Sequence, residues 1–208
     1  MTPNPSLTAP NGLARFRPWM NSIVRRRNLP MHLGRRKLLI LFGALMPTLS
    51  AAALAQIDAP NLVEIDSTLA TSGQPSAKGL EALGELGFQA VIYLAPRTVP
   101  NAIQAEPELL AKQGIEFIHI PIEFAAPTES HFLAFSAALA KLNGRKVLVH
   151  CEINMRASSL VFLHRVIRLR ESPALAYESV ARVWSPRGPW RRLIVEQLAK
   201  NQLQFEPY

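Results

Sequence analysis

The sequence predicts an α/β fold: a single domain with a central, mainly parallel sheet flanked by helices. Short apolar or β-branched runs (Ala90–Leu94, Glu116–Ile120, Lys146–His150) alternate with longer amphipathic stretches, the pattern of strands joined by right-handed crossover helices. Gly87, Gly114 and Asn143-Gly144 stand where each helix must stop before the next strand. Residues 56–208 are the size of one ordinary domain with a sizeable core.

In chain order, Leu62–Ile65 and Leu69–Thr71 read as short strands around a turn at Asp66-Ser67. Ser76 reads as the N-cap of a helix running to Leu86, and Ala90–Leu94 as a buried strand. A helix over Ala105–Gln113 is followed by strand Glu116–Ile120 and a loop containing Pro121 and Pro127. Thr128 then caps a helix over Glu129–Leu142. Strand Lys146–His150 leads into a helix over 156–170. Ser172-Pro173, an N-cap with proline at the first helical position, opens a helix to about Trp184, and a last helix spans Pro189–Asn201.

The formal charge of +8 suggests a nucleic-acid or membrane partner, but the charge is not spread over the chain. Of the 23 Lys and Arg, eight (Arg15, Arg17, Arg25, Arg26, Arg27, Arg35, Arg36, Lys37) precede residue 56, and all 15 acids follow it, so the remainder is neutral. No nucleic acid is therefore expected as a partner. Arg35-Arg36-Lys37, the apolar run Leu38–Leu49 and Ala53-Leu-Ala55 are the three parts of a secretory signal peptide. The expectation is a disordered N-terminus and signal peptide over 1–55, cleavage after Ala55, and a periplasmic or secreted chain starting at Gln56. The apolar run is short and broken by Pro47, so no stable membrane span is expected once the leader is removed; an uncleaved anchor is the alternative. The paired arginines resemble a twin-arginine leader, with a Sec signal as the other reading, and Met20 or Met31 is an alternative start.

The chain turns on Val147–Ser158. The run Val147-Leu-Val149 delivers His150 and Cys151, the one cysteine, to a short polar loop that enters a helix near Arg156. A strand–loop–helix gathers backbone N–H groups and the positive end of a helix dipole, which makes an anion site. A cysteine there is favoured as a thiolate nucleophile, and Arg156 offers a planar fork to two oxygens of one anion. A lone thiol in an exported chain permits no internal disulfide, which adds weight to a functional reading over an inert buried cysteine. No His/Cys/Asp cluster has metal-ligand spacing, so neither metal nor other cofactor is expected.

His150-Cys151, Arg156 and Ser158 resemble the signature of the protein tyrosine and dual-specificity phosphatases. The family places five residues between cysteine and arginine; here there are four, Glu152, Ile153, Asn154 and Met155. Ser72–Pro75, Leu83–Gly87, Val91–Leu94 and His119–Pro121 are similar, in order and spacing, to bacterial dual-specificity-phosphatase-like proteins over about residues 62–185. The resemblance implies a protein-tyrosine-phosphatase-like fold and hydrolysis of phosphomonoesters, from a phosphorylated substrate of unknown class, through a phosphocysteine intermediate. It makes Cys151 the nucleophile and Arg156 the clamp, with the backbone from Glu152 to Arg156 and the hydroxyl of Ser158 binding phosphate. His150 would orient the loop. The family's acid is an aspartate after the preceding strand; this chain offers Glu123 there, and further on Glu129, which reads more simply as a first-turn helix residue. Tyr93 and Ala95 stand where those relatives carry Asn and Arg, with Arg97 nearby as a surface arginine. His119 and His164 read as ordinary hydrogen-bonded histidines. Two further readings stay open: a weakly active or inactive phosphate- or phosphopeptide-binding module, and a rhodanese-like sulfurtransferase, whose six-residue loop matches the span Cys151–Arg156.

Overall fold

The computed structural model describes residues 57–208, so the leader expected over 1–55 lies outside the described residues. The strands are β1 (Val63–Glu64), β2 (Leu69–Ser72), β3 (Ala90–Tyr93), β4 (Glu116–His119) and β5 (Val147–His150). The helices are α1 (Ala77–Glu81), α2 (Glu106–Ala111), α3 (Glu129–Lys141), α4 (Met155–Ile167), α5 (Pro173–Ala181) and α6 (Gly188–Lys200).

The strands form one sheet in the order β1-β2-β5-β3-β4. Every pairing is parallel except β1 with β2, as expected of a two-residue strand joined to its neighbour through the Asp66 turn. The Asp66 carboxylate closes that turn by accepting from the Thr68 N–H and hydroxyl, both at 2.7 Å. Central β5 is apolar on both faces, and its alternation divides the core. Val147 and Val149 join Leu69, Ala90 and Ile92 beneath residues of α3, α4, α5 and α6, among them Phe135, Phe162, Tyr177 and Trp190. Leu148 joins Ala70 and Val91 beneath Leu80, Leu83 and Leu110 of the α1 and α2 side. The parallel register aligns Ser72, His150 and Tyr93, with His119 next to Tyr93, so four strands end at one level. Ligands of such sheets bind at that edge.

The boundaries differ from expectation at three helices. The helix opened by Ser76, whose hydroxyl does accept from Gly79 N at 3.1 Å, stops at Glu81 rather than Leu86. Gly79 and Gly84 weaken it, and the chain turns through Gly87 at φ +80°. The helix after the cysteine loop ends at Ile167, not Arg170, because Arg170 takes a left-handed conformation (φ 60°) that reverses the chain. Pro173 does open α5, but Ser172 makes no capping bond, and the helix stops at Ala181, ahead of Pro186. Thr128 caps α3 as expected and completes a capping box with His131.

Candidate active site

Cys151 is the first residue beyond β5. Its side chain is fully buried, and its N–H donates to Ser72 O at 3.2 Å. From there the loop is pinned by its carbonyls. Glu152 O accepts from Gln74 N (3.1 Å) and from the Asn101 amide (3.0 Å), and Ile153 O accepts from the Asn61 amide (3.0 Å). In a planar trans peptide the N–H points opposite to the preceding C=O, so anchoring Glu152 O outward turns the Ile153 N–H the other way. Asn154 then adopts φ 75°, a left-handed turn that asparagine tolerates. Its side chain donates to Asn61 O (2.6 Å) and Thr71 Oγ1 (3.1 Å) rather than capping the helix. The N–H groups of Met155, Arg156 and Ala157 therefore have neither an intrahelical partner nor a side-chain cap. The first intrahelical bond is Ser158 N to Asn154 O at 2.9 Å. Loop and first turn together form a nest of N–H donors suited to an anion. Gly73 makes the close approach possible: a Cβ there would lie 3.0 Å from Glu152 O and from Ile153 Cα.

Arg156 is 97 % withdrawn from solvent, at 3 % exposure, and ties two loops together. Its Nε donates to Ile122 O at 2.9 Å, and its guanidinium lies 5.1 Å from the centre of the Phe124 ring. Phe124 is held in turn by Trp190, whose ring N–H donates to Phe124 O at 2.8 Å, and by ring contact with Trp184 at 5.8 Å. The segment 121–128 is thus fastened beside the cysteine loop. Glu152 Oε2 stands 3.6 Å from an Arg156 Nη, so the arginine already has an anionic neighbour, itself half-exposed.

Behind the loop lies a buried polar wall. His150 Nε2 is 2.6 Å from Glu106 Oε1, both residues at most 1 % exposed, and Glu106 Oε2 accepts from Gln74 Nε2 at 2.8 Å. The His150 ring stacks on Tyr93 (4.7 Å), which stacks on His119 (5.1 Å). Burial, then the nearby Glu106 and Cys151, push the Tyr93 phenol up to about 12.

The structure brings Cys151, Glu152, Ile153, Asn154, Met155 and Arg156 together around one loop. Ser158 lies on the first turn of α4 with its hydroxyl donating back to Met155 O at 3.3 Å, so its proton is used within the helix. Glu123 is exposed between Ile122 and Phe124, on the loop that Arg156 touches. Glu129 is on α3 and pairs with Lys200, which with the hydrogen bond between them holds its carboxyl below the usual range. Arg97 is exposed and donates to Gln104 O. His119 Nε2 donates to Ala95 O at 2.9 Å. Reasoning from the sequence missed Glu106 and Asn101. Glu106 falls unremarked inside the helix expected over Ala105–Gln113, and nothing local marks it as the partner of a histidine 44 residues on.

The family model described as a DSP-PTPase phosphatase fused to NAD+ kinase matches residues 48–185. The chain belongs to this family. The curated Beta-lactamase hydrolase-like protein of Xylella fastidiosa (strain Temecula1) is 33 % identical over 109 residues, covering 51 % of this chain. The match spans 25 % of that relative's own length. Among solved structures, a DUF442 protein of Shewanella putrefaciens CN-32 is 27 % identical with a TM-score of 0.65, over 72 % of this chain and 97 % of that one. The core catalytic domain of the PP-IP phosphatase SIW14 of S. cerevisiae shares the fold at 20 % identity and a TM-score of 0.54, over 72 % and 99 %. The sheet and its flanking helices are thus the phosphatase-like fold that the loop motif led one to expect.

Proposed function

We propose that the chain is a cysteine-dependent phosphomonoester hydrolase. The carrying observation is the placement of Cys151 at the carboxyl end of the central strand, followed by a pinned loop and first helical turn whose amides are unspent, with Arg156 at its far end. In this reading the Cys151 thiolate attacks phosphorus, the bond to the leaving oxygen breaks, and Glu123 gives that oxygen its proton. Water, deprotonated by the same carboxylate, then attacks phosphorus, and the S–P bond returns its electrons to sulfur. The loop amides and the Arg156 fork hold the equatorial oxygens, whose charge grows in the transition state. To support release of the sulfur as a thiolate, Ser158 would have to turn its hydroxyl proton away from Met155 O. The family assignment supports this reading at the level of phosphatase class. The whole-protein activities of the longer relatives are no part of it.

The test is hydrolysis of aryl phosphates of graded leaving-group basicity. Cys151→Ser should abolish turnover while inorganic phosphate still binds. Glu123→Gln should barely affect nitrophenyl phosphate but slow phenyl phosphate by roughly 10²-fold or more, the range of a positioned proton donor. Wild-type turnover in Cys151→Ser removes the nucleophile, and parallel leaving-group plots remove Glu123.

A second reading, a phosphate-binding module of little activity, is favoured by one contact: Glu152 Oε2 at 3.6 Å from Arg156 opposes the anion the arginine would clamp. Saturable phosphate binding without turnover in the wild type selects it. Sulfur transfer from thiosulfate to cyanide, run in parallel, would select the rhodanese-like alternative. We further propose that residues 1–55 export the chain, on the strength of the Arg35-Arg36 and Ala53-Leu-Ala55 pattern alone.

A further inference from the structure

At the opposite end of the sheet from Cys151 lies a cavity of about 630 Å³, a size that suits a small organic ligand. It opens between the first residues of β2 and β5 (Leu69 and Val147), α3, and the last turn of α4. Leucines and alanines form much of its apolar wall, with Leu133 and Leu169 44 % and 57 % exposed at the rim. Into this apolar lining α3 and α4 place one polar cluster. Ser136 Oγ, buried, accepts from Arg168 Nε at 3.3 Å and lies 2.9 Å from His164 Nδ1, also buried.

The hydrogen bonds assign the protons. Arg168 can only donate, so the serine oxygen accepts from it, and His164 Nδ1 is the one acceptor the structure gives the serine hydroxyl. Nδ1 then receives, and the proton sits on Nε2. Burial first, and the Arg168 charge second, hold the imidazole below its usual range, consistent with a neutral ring. Two donors are left without a protein acceptor among the described residues: the His164 Nε2–H and the Nη groups of Arg168. The other charges on the wall are committed. Asp66 Oδ1 accepts three hydrogen bonds within its turn, and Arg145 is spent on Glu116 and Gln89 O.

A mainly apolar chamber in which a cationic fork and an N–H donor stand side by side in one cluster is complementary to an anionic head on an apolar body. We infer that this cavity binds an organic carboxylate carrying a medium-length aliphatic or aromatic group, its head on Arg168 and its tail against the leucines of α3. A planar carboxylate matches the guanidinium fork. A bare inorganic anion would leave the apolar walls unfilled. The site lies apart from the cysteine loop and stands whether or not the loop hydrolyses phosphoesters.

The experiment is calorimetric titration of the full chain with octanoate, 1-octanol and inorganic phosphate, on the wild type, Arg168→Gln and Ala137→Trp. Ala137 is an exposed position of α3 and Arg168 the exposed residue just after α4, so the fold should hold, and melting curves check this. Octanoate should saturate one site on the wild type. Octanol should bind at least about tenfold more weakly, and Arg168→Gln should cost octanoate a similar factor, the worth of a charged hydrogen bond. Ala137→Trp, which fills the chamber, should abolish binding, and inorganic phosphate should not compete. Equal binding of octanoate and octanol, an unchanged affinity in either variant, competition by phosphate, or no saturation at all would overturn the assignment.

Discussion

At the scale of single residues, the site depends on what Arg156 can do that another cation cannot. Its Nε is committed to Ile122 O, which leaves the outer edge of the fork for two oxygens of one anion. A lysine ammonium cannot hold the carbonyl and clamp two oxygens together. Arg156→Lys should therefore lose nearly as much as Arg156→Ala, on the order of 10²-fold or more in kcat/KM toward nitrophenyl phosphate. A lysine variant of near-normal rate would show that only the charge matters. Tyr93 supplies a pH-dependent counterpart. Its phenol, pushed up to about 12 in the folded chain, holds its proton more tightly than an unfolded tyrosine near 10. That preference stabilises the fold fully below pH 10 and is lost as pH rises through 12. Absorbance titration near 295 nm should show at least one of the three tyrosines ionising well above 10, and Tyr93→Phe should remove that step.

Among elements, the junction of β5, its loop and α4 decides the geometry. Asn154 holds a left-handed conformation and makes two side-chain bonds to the segment before β1 and to β2. Asn154→Gly keeps the backbone but loses those bonds, at about 1 kcal/mol each. Asn154→Val loses the bonds and adds backbone strain of about 1–2 kcal/mol. Thermal melts should place valine below glycine, and glycine below wild type, by a few degrees per step. Equal melting temperatures for the two variants would mean that the loop relaxes freely. Gly73 is the facing constraint: Gly73→Ala should move the loop, since its Cβ would meet backbone at 3.0 Å, and nitrophenyl phosphate turnover should fall more than stability does.

For the whole molecule, the sheet collects the carboxyl ends of four strands on one edge and a second, apolar cavity on the other, with α4 running between them. Charge is asymmetric along the chain rather than across the fold: the net +8 falls before residue 56. Export should therefore depend on Arg35, Arg36 and the Ala53–Ala55 site, and N-terminal sequencing of the exported protein should begin at Gln56. A full-length product in the cytoplasm would refute it. Among the described residues no helix is long and apolar enough to cross a membrane.

What the sequence determined by itself is what depends on near neighbours. Alternating apolar runs and glycine stops fix strand and helix order, because period and backbone freedom are local properties; Thr128 as a cap, Asp66 as a turn and Pro173 as a helix opener follow from their own side chains. The His150-Cys151 and Arg156 spacing made the strand–loop–helix junction legible for the same reason. Only the tertiary structure decided what depends on distant partners. That Glu106 would be buried against His150, and that Asn61 and Asn101 would anchor the loop carbonyls, follows from sheet register bringing together residues 44 to 92 positions apart. The polar cluster of Ser136, His164 and Arg168 is of the same kind. Each member reads as ordinary in its own helix, and the cluster exists because α3 and α4 cross over the same strands. Burial gives such contacts their weight, since a polar group withdrawn from water must find a partner wherever the chain happens to pass.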